Sequence, residues 1–256
     1  MSLYTHSSGV GRDLFLLHGW GMNGSVWSPW LKTLTQDFRV TVVELPGHGE
    51  SPWLKSFNQL ATWAEQVLAV APHDAVWVGW SLGGLVMQQA AIMHPEKIRA
   101  ILGVASSPCF VQREDWDCAI DPVVLKNFAD ELQADTPKTL RRFLSLQVQG
   151  ATDAKTMLRQ LQQEFAHRPQ PHPEALQTGL NLLLNTDLRQ QWANLELPTG
   201  WILGDRDTLV PKCLVKALTQ FHADLSVQLV SGAAHAPFLS HPLLCKRLLE
   251  DFIAHV

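Results

Sequence analysis

Six apolar runs of strand length punctuate the chain, at residues 14–17, 40–43, 76–78, 101–104, 201–203 and 227–230, and helical patterns separate them. Alternation of this kind implies a mostly parallel central sheet flanked by helices, an α/β fold. Between the fourth and fifth runs, residues 110–195 carry helical periodicity and no comparable strand. Helical patches fall at 123–132, 137–147, 154–165 and 173–184, broken by Pro137, Gly150 and the run Pro169-Gln170-Pro171-His172-Pro173. A structureless connection of that length is improbable in a compact domain. The expected organisation is a core of residues 1–109 and 196–256 with a helical lid, 110–195, inserted over the strand ends.

The chain has 256 residues, enough to bury a large core without metals or disulfides. Its first residues lack a basic region followed by an apolar stretch, and no run of about 18 apolar residues occurs. The expectation is a cytoplasmic protein outside the membrane. Cys109, Cys118, Cys213 and Cys245 have neither CxxC nor metal-type spacing, so buried free thiols are expected rather than a disulfide or zinc site. A net charge of −4 argues against a general nucleic-acid binder.

Residues 79–83 read Gly79-Trp80-Ser81-Leu82-Gly83, between an apolar strand run and a helical stretch. This is the pattern of a nucleophile elbow, where a strained strand-to-helix turn lifts a serine hydroxyl clear of the backbone. The flanking glycines leave room where the turn folds back. A serine nucleophile needs a base, an orienting carboxylate and oxyanion donors, each at a different strand end. After the fifth run comes Gly204-Asp205-Arg206-Asp207, and after the sixth comes Ala233-Ala234-His235-Ala236-Pro237-Phe238. Ser, Asp, His is the order of the α/β-hydrolase superfamily.

His235 is the expected base. Asp207 is preferred over Asp205 as its partner, because its position after Gly204 and before Val210-Pro211 resembles the Gly-x-x-Asp-x-x-Val-Pro pattern of that superfamily. Asp205 is assigned to the loop. The backbone N–H groups of Leu82 and of Trp20, the latter in His18-Gly19-Trp20-Gly21, are the expected oxyanion donors, each typically worth ~3 kcal/mol of barrier. His18 is read as a structural hydrogen-bonder. The turn Glu44-Leu45-Pro46-Gly47-His48-Gly49-Glu50-Ser51 belongs to the scaffold.

Together with Ala105-Ser106-Ser107-Pro108-Cys109-Phe110 and Arg142-Phe143-Leu144, these motifs resemble the pimeloyl-acyl-carrier-protein methyl ester esterase family, carboxylesterases of the biotin pathway. The resemblance runs from about Leu14 to the C-terminal helix. It implies hydrolysis of a methyl ester on a pimeloyl chain held by acyl carrier protein, with no cofactor and no metal. It places substrate along Phe143, Leu144, Ser145, Leu146 and Gln147, beside Trp20, Ser81, Leu82 and His235. It also implies that Lys138, Arg142, Lys155 and Arg159 contact the carrier.

Charge in the insert points the same way. Between residues 136 and 168 lie Lys138, Arg141, Arg142, Lys155, Arg159 and Arg168 against Asp153 and Glu164, a local charge of +4 on an acidic chain. Lys138 with Arg142, and Lys155 with Arg159, stand i, i+4, so each pair shares a helix face. A basic ridge suits an acidic carrier through steering and orientation. Phe143, opposite that face, is expected to line an apolar channel with Trp20, Trp80 and Leu146. Each buried CH2 contributes ~0.8 kcal/mol, enough to favour a medium acyl chain but not to measure its length sharply. A monomer is expected. The alternatives are a general carboxylesterase, a thioesterase or a carbon–carbon hydrolase on free substrates, or a non-catalytic ligand-binding protein of this fold.

Overall fold

The structure, a computed structural model, describes residues 2–166, 168–221 and 225–256. Strands β1 (Thr5–Ser8), β2 (Arg12–Leu17), β3 (Phe38–Val43), β4 (Ala75–Trp80), β5 (Ile98–Val104), β6 (Thr199–Gly204) and β7 (Ser226–Val230) form one sheet in the order β1-β3-β2-β4-β5-β6-β7. Pairing is parallel throughout except at β1, which runs antiparallel to β3. Six strands coincide with the six apolar runs. The seventh, β1, carries Thr-His-Ser-Ser and no apolar signal, because it is an edge strand held through its backbone and a Ser7–Thr41 hydroxyl bond of 2.8 Å.

The central strand β4 is buried along its whole length and feeds directly into the elbow. Helices α1 (Ser28–Leu34), α2 (Leu60–Leu68) and α3 (Leu82–Met93) follow the early strands. Between β5 and β6 come α4 (Pro122–Ala134), α5 (Thr136–Val148), α6 (Ala154–Ala166), α7 (Pro173–Asn185) and the short α8 (Arg189–Trp192). After β6 come α9 (Leu214–Phe221), α10 (Pro237–Ser240) and α11 (Pro242–Ile253). Local chemistry sets the ends of the inserted helices. Asp121 and Asp135 accept from Val123 N–H and Lys138 N–H respectively, and a proline opens the first turn of α4, α5 and α7. No helix among the described residues is long and apolar enough to cross a membrane.

The cysteines depart from expectation. Cys118, just before α4, is bonded to Cys213, just before α9, across 95 residues. Spacing in sequence carries no signal for such a pair, because the fold alone brings the two loops within a Cα–Cα distance of 5.6 Å. Cys109 and Cys245 are buried free thiols, and burial pushes the Cys245 thiol up to about 12.

Candidate active site

Strand β4 ends at Trp80, and the next residue, Ser81, adopts φ 54° and ψ −121° before α3 begins. A non-glycine residue there stores strain, on the order of 1–3 kcal/mol, which its surroundings must impose. They do so by close approach. A Cβ on Gly79 would sit 2.5 Å from the Gly84 Cα, and one on Gly83 would sit 2.4 Å from the Leu17 and His18 carbonyl oxygens. Ser106 adds a brace, its hydroxyl donating to the Ser81 carbonyl at 2.9 Å.

The loops after β6 and β7 deliver Asp207 and His235. The His235 Nδ1–H donates to Asp207 Oδ2 at 2.7 Å, both side chains being essentially inaccessible. The other Asp207 oxygen accepts from Leu209 N–H at 2.8 Å and Val210 N–H at 3.0 Å, so the carboxylate cannot swing away. His235 Nε2 is buried and has no hydrogen-bond partner among the described residues. Both it and Ser81 line the same cavity. Asp205 spends its carboxylate on the neighbouring loop, accepting from Gly232 N–H at 2.7 Å and the Ser231 hydroxyl at 3.3 Å.

The His18-Gly19-Trp20-Gly21 loop presses against the elbow: a Cβ on Gly19 would lie 3.2 Å from the Ser81 Cβ. Leu82 opens α3, so its N–H belongs to the helix's unpaired first-turn donors. His18 sits beneath, wholly buried, with Nδ1 donating to the Gly19 carbonyl and Nε2 accepting from Leu45 N–H at 3.0 Å. Burial, then neighbouring His48, lowers its pKa to about 3, so it stays neutral. Glu44 is likewise structural, accepting from Gly24 and Glu50 N–H groups across the turn.

The cavity encloses about 490 Å³. Its buried floor includes Ser81, His235, Phe110, Leu125, Phe128 and Phe143, and its exposed rim is made by Val124, Asn127 and Glu131 of α4, Arg142 of α5, Gln149 just past the end of α5, and Thr208. The α4 residues were not singled out from sequence, although Val124, Leu125, Phe128 and Glu131 recur at helical spacing.

Sequence expectations for α5 divide. Phe143 and Leu146 line the cavity. Leu144 is buried beside Gln162 and Phe165 of α6, where i+1 geometry turns it from Phe143. Ser145 is exposed, its hydroxyl donating to the Arg141 carbonyl, and Gln147 is buried with its amide donating to the Phe143 carbonyl.

Two tryptophans expected along the channel do other work. Trp80 donates its indole N–H to the His235 carbonyl at 2.8 Å, tying the histidine loop to the elbow. Trp20 donates to the Leu176 carbonyl of α7 at 2.8 Å and packs edge-on against Phe143 at 4.7 Å, so it stitches the insert to the sheet. No signal in a bare sequence separates a tryptophan lining a channel from one bracing its wall.

Lys138, Arg142, Lys155 and Arg159 are all exposed. Arg168 leaves the ridge: it lies over the Tyr4 ring and 3.8 Å from Glu44 and Glu50. Among the described residues no group of three or more His, Cys, Asp or Glu is placed to hold a metal ion.

Comparison with known proteins identifies the family and the fold. A family model described as alpha/beta hydrolase fold matches residues 14–242. The pimeloyl-[acyl-carrier protein] methyl ester esterase of Serratia marcescens is 44% identical over 254 residues, 99% of this chain and 98% of the relative. The protein of the same name from Aeromonas hydrophila is 41% identical over 99% of this chain and all of the relative. Among solved structures, a bromoperoxidase from Bacillus anthracis superposes with a TM-score of 0.88 at 20% identity, covering 98% of this chain and 95% of that one. An esterase from Exiguobacterium antarcticum gives 0.86 at 16% identity, covering 99% and 94%. These two likenesses speak to the fold alone. The chain therefore belongs to the α/β-hydrolase family and, within it, to the pimeloyl-[acyl-carrier protein] methyl ester esterases.

Proposed function

We propose that this carboxylic ester hydrolase cleaves the methyl ester of a pimeloyl chain carried by acyl carrier protein, releasing methanol, as a cytoplasmic monomer of the biotin pathway. One observation carries the reading. Ser81 and His235 share the buried floor of an apolar cavity whose exposed rim is crossed by α5 at Arg142. The volume suits a small acyl ligand. Residues 110–195 act as the lid that builds that rim.

In the first step Ser81 Oγ attacks the ester carbonyl as His235 Nε2 takes its proton. Asp207 fixes the histidine tautomer and stabilises the imidazolium. The Leu82 and Trp20 N–H groups hold the oxyanion. The carbonyl–OCH3 bond then breaks, and His235 returns the proton to the leaving methoxide. Water attacks the acyl-serine by the same route, giving the free carboxylate and restoring Ser81. Phe143 and Leu146 flank the methylene chain, and Lys138, Arg142, Lys155 and Arg159 receive the acidic carrier. Neither a metal nor an organic cofactor enters any step.

The test compares kcat/KM for the carrier-bound methyl ester with that for free dimethyl pimelate, in wild type and in Lys138→Glu/Arg142→Glu/Lys155→Glu/Arg159→Glu. The expected result is a carrier preference that collapses by about 100-fold in the variant, since rim charges act on encounter and register. Equal activity on both substrates in both proteins would instead describe a general esterase.

A further inference from the structure

The four exposed cations assigned to the carrier are not equivalent. Among the described residues Lys138, Lys155 and Arg159 form no ion pair, whereas Arg142 is held by Glu131. That pair spans two helices, and both partners line the cavity. Val124, Asn127 and Glu131 form one stripe of α4, and Arg142 and Leu146 one stripe of α5, so the ion pair bridges the slot between the stripes. Both side chains remain about half exposed, at 57% for Arg142 and 48% for Glu131, so water and a docking anion can reach them.

From this arrangement we infer that Glu131 is a specificity-determining residue, setting how tightly an acidic carrier is held by competing with it for Arg142. The inference rests on the carrier-docking reading above. A carrier carboxylate or its phosphodiester must displace Glu131 to gain the Arg142 guanidinium. The displaced carboxylate then stays beside the bound anion and repels it. Binding is thereby weakened and release of product carrier favoured. Exposed ion pairs of this kind are weak and screened by salt, so the exchange is readily reversible.

The experiment titrates pimeloyl-carrier methyl ester into protein carrying Ser81→Ala, which prevents turnover, and measures Kd at low and high salt. Glu131→Gln is expected to tighten binding about three- to fivefold at low ionic strength, the size of effect exposed pairs have. Glu131→Asp, which keeps the charge, should stay near the unmodified value. The gain should shrink in 0.5 M salt and largely vanish when Arg142 is already glutamine, because the competed group is then gone. An unchanged or weaker Kd in Glu131→Gln would overturn the inference. So would an equal gain in the Arg142→Gln background, which would mean that only net charge had changed. If no variant shows salt-sensitive carrier binding, the docking reading fails and this inference falls with it. Salt-sensitive binding indifferent to Glu131 defeats this inference alone.

Discussion

The floor and the rim of the cavity are built on opposite principles. At the floor, each charged or strained group is over-determined. Asp207 accepts three hydrogen bonds, His235 is tied through both its ring and its carbonyl, and Ser81 is clamped by glycine contacts and Ser106. At the rim, the charged groups are exposed and held by a single ion pair. Chemistry of this kind needs donors that do not reorganise as charge develops, whereas partner choice benefits from charges that exchange easily. The contrast predicts that damage to the floor costs turnover, and damage to the rim costs selection.

The largest effect should come from Ser81→Ala. Removing the proposed nucleophile is expected to lower kcat by about 10⁴-fold or more on free and carrier-bound esters alike, with ligand binding retained. Ester hydrolysis that survives the substitution would break the comparison at its root, by showing that the rigid floor is not where the reaction occurs.

Next in size is the junction between the two regions. Cys118 lies two residues before Ile120 of the cavity wall, and Cys213 follows the loop that holds Asp207, so the bond joins the insert to the floor. Closing a loop of this length stabilises by about 2–5 kcal/mol. Cys213→Ser should therefore lower the melting temperature by about 4–20 °C for a chain of this size. Wild type treated with a dithiol reductant should melt with the variant. Coincident melting of oxidised wild type and Cys213→Ser would mean that packing across Trp20 and α7 already fixes the two parts together.

Much of the floor was legible because its chemistry demands rare residue types at strand ends in a fixed order. Ser81, Asp207 and His235 come together from three distant loops, and the strands that carry them announce themselves as apolar runs. The rest was less legible. Strand β1 and the disulfide left no local pattern, since one is a polar edge and the other a product of tertiary proximity. On α5 the contiguous run from Phe143 to Gln147 divides among cavity, solvent and helix packing, because successive helical residues point about 100° apart. Trp80 and Trp20 read as channel lining, yet their indole N–H groups decide their place by bonding carbonyls that no sequence pattern identifies.

The smallest expected effect separates the regions by pH. Beneath the floor, His18 and His48 are wholly buried, and burial lowers their pKa values to about 3 and about 4. The rim residues include no histidine. In the unfolded chain both histidines titrate near 6.5. Between that value and their folded pKa values the unfolded state binds more protons, so stability is full above about pH 6.5 and declines as pH falls. Each histidine should contribute a slope of about 1.4 kcal/mol per pH unit in that window. Denaturant melts at pH 7 and pH 5 measure it, and His18→Gln should flatten the slope whatever it does to stability at pH 7. A slope unchanged by that substitution would mean that His18 protonates without unfolding its surroundings. The loop beside Ser81 would then be as yielding as the rim, and the contrast between a fixed floor and an exchangeable mouth would not hold there.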